Sequence, residues 1–280
     1  MRLIDGRAHA AALADGVRAR AAALRAGGVV PALAVVVPTA DEATAWYVRS
    51  LAKACARVGL ECREHPVPEA DAAALPDRLA EVAADPAVHG VICQTPLPAG
   101  YRLEEVGALI PPAKDVDGAN PTSLGRLAAG LPTYAPATAE AVLEILRRER
   151  VPLTGARVAV VGRSTVVGKP AALLLLAEHA TVTVCHSRTR DLPAITREAD
   201  IVVAAAGKAN LLGTPHIRPG AVVIDVGTNP TPDGGLTGDV NAAALAATAG
   251  ALTPVPGGVG PVTTMLLLAH TVTAAETPTP

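Results

Sequence analysis

The chain alternates between short runs of apolar, mostly β-branched residues and longer segments rich in alanine and leucine. The runs have the length of buried strands and the longer segments have a helical period, which is typical of βαβ units that build a mainly parallel sheet. This pattern predicts an α/β fold, with strands at 34–37, 91–93, 158–161, 181–185, 201–205 and 222–226. It predicts helices at 8–25, 43–58, 70–84, 137–150, 169–178 and 263–275.

The length of 280 residues suits two domains, since single domains usually contain about 100–200 residues. A turn-rich segment at 132–136 predicts the boundary between a domain at 1–135 and a dinucleotide-binding domain at 136–262. A second turn-rich stretch precedes the last helix, so the segment 263–280 is expected to fold back onto the first domain. The tail from Thr277 to Pro280 is expected to be disordered.

Composition and charge exclude several classes of protein. The formal net charge is only -2, which lacks the basic excess of a nucleic-acid binder. The first residues carry charges where a signal peptide needs an apolar run, and the apolar run 171–177 is too short to span a bilayer. The four cysteines and seven histidines show no metal-ligand spacing, so reduced thiols and no metal are expected. These features predict a cytoplasmic enzyme.

The strand at 158–161 runs directly into a glycine-containing turn that is followed by a helix. Such a junction points backbone N–H groups and the positive end of a helix dipole at a diphosphate, while its glycines allow close approach to the ligand. The spacing is not the plain G-x-G-x-x-G, so the motif alone is a weak signal. It nevertheless predicts cofactor contacts at Gly162, Arg163, Ser164 and Gly168.

The segment after the next strand indicates which dinucleotide binds. An NAD enzyme usually has an acidic residue there to accept hydrogen bonds from ribose hydroxyls, whereas this chain has Ser187 and Arg188. Guanidinium groups suit phosphate oxygens, so Arg188 and Arg163 favour NADP over NAD. The alternative is that these arginines are ordinary surface charges. Gly207 and Thr228 follow later strands and are expected on the nicotinamide side of the crevice.

Five sequence blocks carry a resemblance to a known family, and they are Gln94-Thr-Pro-Leu-Pro98, Lys114-Asp-Val-Asp-Gly118, Gly162-Arg-Ser-Thr-Val-Val-Gly-Lys-Pro170, Cys185-His-Ser-Arg-Thr189 and Pro254-Val-Pro-Gly-Gly-Val-Gly-Pro261. In this order and spacing they resemble the bifunctional methylenetetrahydrofolate dehydrogenase/methenyltetrahydrofolate cyclohydrolase family over residues 30–272. The resemblance implies a folate-binding first domain, a Rossmann-type NADP-binding second domain and a homodimer. It also implies oxidation of methylenetetrahydrofolate by NADP⁺, followed by hydrolysis of the methenyl product to 10-formyltetrahydrofolate.

The resemblance also implies roles for individual residues. Tyr47 would stack on the folate, Gln94 would support the chemistry and Asp117 would hold the pterin ring. The turn at Gly257 and Gly258, with Pro261, would border the same pocket. The residues themselves agree in part, because tyrosine is scarce in this chain and Asp117 lies in a turn where a carboxylate can face a ligand. A capping role for Asp117 is the alternative.

One position departs from the family pattern at its centre. The family motif is Tyr-x-x-x-Lys, in which the lysine is the general acid/base, and this chain has Leu51 four residues after Tyr47. Lys53 points about 200° away from Leu51 around a helix and cannot simply replace it. The segments 119–120 and 136–139 depart from the pattern as well, whereas the cofactor blocks are nearly intact.

These departures predict a dehydrogenase whose cyclohydrolase step is weak or lost. Hydride transfer depends mainly on positioning, whereas hydrolysis also needs an acid/base, whose loss costs about 10²–10⁴-fold in rate. Two alternatives stay open. One is a diverged paralogue that acts with NADP on a different pterin or a secondary metabolite. The other is a non-catalytic folate- or nucleotide-binding protein.

Overall fold

The computed structural model describes residues 1–277 and divides the chain into two compact units. Among the described residues, the N-terminal unit consists of Ala11–Ala137 and 264–277, and the C-terminal unit consists of Met1–Ala10 and Thr138–Thr263. Residues 278–280 of the tail lie outside the described residues. The backbone N–H of Thr277 donates to the carbonyl of Ala274 at 3.3 Å.

The strands are β1 (Arg2–Leu3), β2 (Ala32–Val37), β3 (Glu61–Pro66), β4 (Gly90–Cys93), β5 (Arg157–Val161), β6 (Thr181–Cys185), β7 (Ile201–Ala204), β8 (Val222–Asp225), β9 (Asn229–Pro230), β10 (Leu236–Thr237) and β11 (Ala251–Leu252). The helices are α1 (Gly6–Ala26), α2 (Glu42–Val58), α3 (Leu75–Ala84), α4 (Leu103–Ala108), α5 (Pro121–Ala128), α6 (Ala137–Arg148), α7 (Gly168–Ala177), α8 (Leu192–Thr196) and α9 (Val259–Glu276). Short 3-10 turns occupy Glu69–Ala74 and Thr214–His216.

The N-terminal unit contains a three-stranded parallel sheet in the order β3-β2-β4. Every residue of β2 is buried, as expected for a central strand covered on both faces. Leu33 of β2 pairs with Cys62 on one side and with Gly90 on the other. The carboxyl ends of β2 and β4 therefore lie side by side, which places the segments that follow them at one edge of the sheet.

The C-terminal unit contains a six-stranded sheet in the order β1-β11-β8-β7-β5-β6, and all of its neighbouring pairs are parallel. The chain leaves β5 toward β6 on one side and then returns to β7 on the other side. The strand order therefore reverses between β5 and β7, and ligands of open parallel sheets bind outside the carboxyl ends of the strands at such a point. The two parallel sheets, one in each unit, establish the two-domain α/β architecture.

The first ten residues belong to a different unit from the one that the sequence suggested. The N–H of Arg2 donates to Gly250 O and the N–H of Ile4 to Leu252 O, both at 2.9 Å, so β1 extends the larger sheet. Ile4 is fully buried there. A two-residue strand is too short to show any period, which explains why sequence analysis placed residues 1–10 with the first domain.

Within residues 1–277, no helix combines the length and apolar character needed to cross a membrane. The same residues contain no group of three or more histidine, cysteine or acidic side chains that could hold a metal ion.

Candidate functional site

Two glycines shape the crevice at the carboxyl end of β5. Gly162 directly follows β5, and a Cβ added to it would lie 2.0 Å from the carbonyl oxygen of Ala205, which follows β7. Gly162 also has a φ of 139°, which favours glycine. A Cβ on Gly168 would lie 2.2 Å from Gly162 O. Both glycines are therefore required for the loop to close tightly across the point where the strand order reverses.

Ser164 fixes the start of helix α7, which begins at Gly168. Its side-chain oxygen accepts hydrogen bonds from the N–H groups of Val167 at 3.2 Å and Gly168 at 3.4 Å. Its carbonyl accepts from the N–H of Lys169 at 3.0 Å. The loop after β5 thus leads directly into a helix N-terminus, where a positive dipole end favours an anion.

Cationic side chains lie on the segment after β6 and on the adjacent loop after β5. The N–H of Thr189 donates to His186 O at 2.8 Å and the N–H of His186 donates to the Thr189 side chain at 2.8 Å, which makes a tight turn. Ser187 and Arg188 lie exposed on this turn, and Arg163 is exposed on the preceding loop. Within residues 1–277, neither guanidinium group forms an ion pair with a carboxylate. Their charge is therefore available to a phosphate.

Gly207 and Thr228 follow β7 and β8 and are exposed. Gly207 has a φ of 64°, so the backbone turns sharply at the end of β7. Two buried acidic residues that sequence analysis missed, Asp225 and Asp239, lie directly behind these segments. Burial raises the pKa of Asp225 to about 6, although the N–H groups of Asp239, Val240 and Gly227 that bond to its carboxylate oppose this rise.

The glycine-rich turn before α9 also belongs to the C-terminal unit. Gly257 has a φ of 107°, and a Cβ on Gly258 would lie 2.6 Å from Pro254 O. A Cβ on Gly6 would lie 1.7 Å from Gly258 O, so the start of α1 packs against this turn. Pro261 lies in the first turn of α9.

The N-terminal unit brings the start of α2 next to the segment that follows β4. Asp41 caps α2 by accepting the N–H of Thr44 at 2.8 Å. The Thr44 hydroxyl oxygen lies 2.9 Å from the carbonyl oxygen of Thr95. Tyr47, one turn along α2, and Gln94, which directly follows β4, are therefore held at the same corner of the unit.

The negative charge of Asp117 acts on the phenol of Tyr47. Tyr47 is half-buried, and burial together with the negative field of Asp117 raises the pKa of its phenol above the ordinary value. The phenol therefore stays protonated at neutral pH and cannot serve as a base. The Tyr47 side chain can instead stack its apolar ring face on a ligand and donate a hydrogen bond from its hydroxyl.

Asp117 lies in a turn that the neighbouring Asp115 stabilises through hydrogen bonds. Asp115 is fully buried and accepts hydrogen bonds from Ala119 N–H at 2.8 Å, Asn120 N–H at 2.9 Å and the Ser123 hydroxyl at 2.6 Å. Asp117 keeps solvent-accessible surface, but the protein atoms packed around its carboxyl remove part of its hydration and raise its pKa to about 7. Asp115 adds to this rise, and a hydrogen bond from the N–H of Ala137 opposes it. Asp115 thus performs the turn-building role, and the exposed part of the Asp117 carboxyl can still reach a ligand.

His270 of α9 supports the same turn. Its Nδ1 lies 2.7 Å from the carbonyl oxygen of Val116, which can only accept, so Nδ1 carries the proton. Its ring packs against Tyr134 at a centroid distance of 5.1 Å. His270 also opposes the rise in the pKa of Asp117. His270 could not be identified from the sequence, because a single histidine in an apolar helix carries no recognisable signal.

Leu51 is 1% exposed and lies on the buried stripe of α2 with Val48 and Cys55, whereas Lys53 is exposed. The lysine is thus on the outer face of the helix. Asn120, one of the positions that differ from the family pattern, is buried and caps α5 by accepting Thr122 N–H at 2.7 Å. That difference has a structural role in this chain.

The chain matches two family models. The model of the tetrahydrofolate dehydrogenase/cyclohydrolase catalytic domain matches residues 4–117, and the model of the NAD(P)-binding domain of the same family matches residues 136–279. The chain is 62% identical over 275 residues to the bifunctional protein FolD of Parafrankia sp., covering 98% of this chain and 99% of the relative. It is 55% identical over 274 residues to the FolD protein of Nocardia farcinica, covering 98% and 97%.

Solved structures agree with these matches over the whole chain. The bifunctional FolD enzyme of Campylobacter jejuni superposes with a TM-score of 0.95 at 36% identity and 99% coverage of both chains. The FolD enzyme of Trypanosoma brucei, solved with NADP cofactor and inhibitor, superposes with a TM-score of 0.92 at 38% identity, covering 98% of this chain and 97% of the other.

Proposed function

Because the chain belongs to the tetrahydrofolate dehydrogenase/cyclohydrolase family, we propose that it oxidises 5,10-methylenetetrahydrofolate to 5,10-methenyltetrahydrofolate with NADP⁺ in one-carbon metabolism. We further propose that its cyclohydrolase step is weak or lost. The observation that carries the proposal is the tandem match of a catalytic-domain model at 4–117 and an NAD(P)-binding model at 136–279. The first part would bind the substrate and the second part would bind NADP.

The residues at the carboxyl end of β5 suit NADP. Gly162 and Gly168 would place backbone N–H groups against the diphosphate, with Ser164 holding the loop. Arg163, Ser187 and Arg188 would bind the 2′-phosphate, since the two exposed guanidinium groups form no ion pair with a carboxylate in the described part of the chain and the Ser187 hydroxyl can donate a hydrogen bond. Gly207 and Thr228 would contact the nicotinamide side. When bound, NADP⁺ supplies the carbon that accepts a hydride.

The other proposed site residues orient the folate. Tyr47 would stack on the substrate, Gln94 would hold the one-carbon centre, and Asp117 would accept hydrogen bonds from the pterin ring. Gly257, Gly258 and Pro261 would border the substrate. The methylene carbon loses a hydride and becomes the methenyl cation, a step in which no proton has to move. Such a step depends on alignment rather than on an acid/base.

Hydrolysis of the methenyl cation makes a different demand. Water must add to the cation and lose a proton, so a positioned base is needed. Leu51 has no titratable group, and the protonated phenol of Tyr47 is a donor rather than a base. Those two side chains support the proposal that the cyclohydrolase step is weak or lost. A diverged paralogue that acts on another pterin is the competing proposal, because the segment 119–120 also departs from the family pattern.

The test is to incubate the purified protein with methylenetetrahydrofolate and NADP⁺ and to measure NADPH, methenyl-folate and 10-formyl-folate separately. We expect NADPH and methenyl-folate in equal amounts, with 10-formyl-folate formed little faster than without protein. NADP⁺ binding without turnover would favour the diverged paralogue or the non-catalytic protein. A copy with Gly162→Arg, which blocks the loop after β5, serves as the inactive control.

We also propose that the protein is a cytoplasmic homodimer. The support for the dimer is β6, an edge strand of the six-stranded sheet whose single neighbour among the described residues is β5. Val184 of β6 is 40% exposed and Leu176 of the adjacent α7 is 59% exposed. Unpaired edge strands with apolar side chains are usually covered.

The support for the cytoplasmic location is that the four cysteines are free thiols, as is usual in a reducing compartment.

A further inference from the structure

We propose that Asp239 is the positioning residue that shapes the nicotinamide side of the cofactor crevice. This inference rests on the proposed NADP-dependent function. Asp239 touches neither substrate nor cofactor, because its side chain is fully buried. Its role is to hold the backbone segments that follow β7 and β8.

The carboxylate of Asp239 accepts four hydrogen bonds. Its Oδ2 accepts the N–H groups of Ala206 at 2.6 Å and Gly207 at 2.9 Å. Its Oδ1 accepts the N–H of Lys208 at 2.8 Å and the Nδ2 of Asn229 at 2.9 Å. Three successive backbone N–H groups after β7 therefore converge on one side chain. Such an arrangement fixes the conformation of the segment, including the positive φ of Gly207.

Asp239 is itself held by a second buried carboxylate. The N–H groups of Asp239 and Val240 donate to Asp225, at the end of β8, at 3.0 Å each. Neighbouring glycines make room for this pair of acids. A Cβ on Gly227 would lie 2.3 Å from Asp239 Oδ1, and a Cβ on Gly238 would lie 1.8 Å from Asp225 Oδ2. The arrangement of Asp225 and Asp239 therefore requires glycine at positions 227 and 238.

The location of these contacts distinguishes positioning from general stabilisation. All four donors belong to segments that follow the carboxyl ends of β7 and β8, where ligands of a parallel sheet bind. A fully buried carboxylate is a costly way to stabilise a fold, since an apolar side chain avoids the loss of hydration. A buried acid that instead orders four polar groups beside a ligand crevice fixes the position of the backbone that lines the crevice. A displacement of such groups by about 1 Å can cost about 10²-fold in rate.

The decisive variant is Asp239→Asn, which keeps the shape of the side chain. An amide has only one acceptor oxygen, so two of the four donors lose their acceptor and face an NH₂ group instead. We expect the dissociation constant for NADP⁺, measured by calorimetry without folate, to rise about 10- to 100-fold. The KM for methylenetetrahydrofolate should change far less than the KM for NADP⁺. The matched control is Asp233→Asn, an exposed acid in the β9–β10 turn, which should leave both values unchanged.

Hydrogen exchange tests the same inference without any cofactor. The amides of Ala206, Gly207 and Lys208 should be protected in the unmodified protein and should exchange faster in Asp239→Asn, while β5 and β6 keep their protection. If Asp239→Asn does not fold, Asn229→Ala removes one donor and should give a smaller loss of NADP⁺ affinity. Unchanged exchange at 206–208, or unchanged NADP⁺ affinity in a folded variant, would overturn the inference. A failure of the proposed function would appear separately, as an unmodified protein that shows no turnover.

Discussion

The side chain at position 51 lies on a buried stripe of α2, one turn after Tyr47. Leu51 is 1% exposed, so a lysine at this position would enter surroundings that disfavour its charged form. Desolvation lowers the pKa of a lysine and so favours the neutral amine that a base requires. The same burial would destabilise the fold. Activity and stability should therefore change in opposite directions when this residue is replaced.

We predict that Leu51→Lys raises methenyl-folate hydrolysis from near background, toward the 10²–10⁴-fold that a positioned acid/base supplies. Leu51→Met is the matched control, because it keeps an apolar side chain of similar size and adds no amine. Hydrolysis is compared at equal NADP⁺ affinity, and the thermal midpoint of each variant is measured. Robust hydrolysis by the unmodified protein would contradict the prediction and would point first to Lys53. A folded variant without any gain would favour the diverged substrate.

Asp117 gives a prediction about pH. Its pKa is raised from 3.8 to about 7, so it is largely protonated below pH 7 and accepts hydrogen bonds poorly there. We expect kcat/KM for methylenetetrahydrofolate to rise as pH increases through about 7. In Asp117→Asn this step should vanish and kcat/KM should be low throughout. A step of the same size in the variant would assign the titration to another group.

The same shift has the opposite effect on stability. Between pH 3.8 and about 7 the native protein binds a proton at Asp117 that the unfolded chain has already lost. The contribution of this group to stability is therefore fully present below pH 3.8 and is lost as pH rises through about 7. Denaturant unfolding of Asp117→Asn should show a smaller loss of stability across this range than the unmodified protein, with part of the remaining loss due to Asp225, whose pKa is raised to about 6. The group thus favours activity and stability at different pH values.

At the scale of elements, the turn after β6 and the loop after β5 act as one cationic surface. We predict that Arg163→Ala and Arg188→Ala each reduce the preference for NADP⁺ over NAD⁺ by about tenfold or more, since hydrogen bonds to charged groups contribute about 1.5–3 kcal/mol. Binding of both dinucleotides is measured by calorimetry. Arg157→Ala is the control, because Arg157 lies at the opposite end of β5 and pairs with Glu198. Equal affinity of the unmodified protein for NAD⁺ and NADP⁺ would contradict this assignment.

Elements with a strong hydrophobic pattern could be predicted from the sequence, and those without one could not. The strand predicted at 181–185 has the same bounds as β6, and the other predicted strands differ by one or two residues at their ends. Strand β3 was missed because it is an edge strand whose residues, Glu61 to Pro66, are largely polar and mostly not buried. The helix predicted at 70–84 begins instead at Leu75, after a 3-10 turn interrupted by the non-helical Asp71.

At the scale of the whole molecule, the candidate site was predictable where it depends on short contiguous blocks. A stretch of a few residues is enough to recognise the glycines at 162 and 168 and the turn at 114–118. The acids that support the crevice could not be predicted, because Asp239 gains its significance from the backbone at 206–208, which is remote in sequence. His270 is similar, since it contacts Val116 O across more than half of the chain. Contacts between distant segments leave no local pattern.

The exposed edge of the six-stranded sheet gives the last prediction. We expect the unmodified protein to sediment as a dimer and Val184→Lys to sediment as a monomer, because a charge on β6 opposes pairing between edge strands. Val184 is already 40% exposed, so the substitution should change the stability of the monomer by about 0.5 kcal/mol or less. The control is Leu131→Lys, which replaces an apolar residue that is 52% exposed in the N-terminal unit and should leave the dimer intact. A dimer that survives Val184→Lys but not Leu131→Lys would place the interface on the other unit. An unmodified monomer that binds NADP⁺ would show that cofactor binding needs no partner subunit.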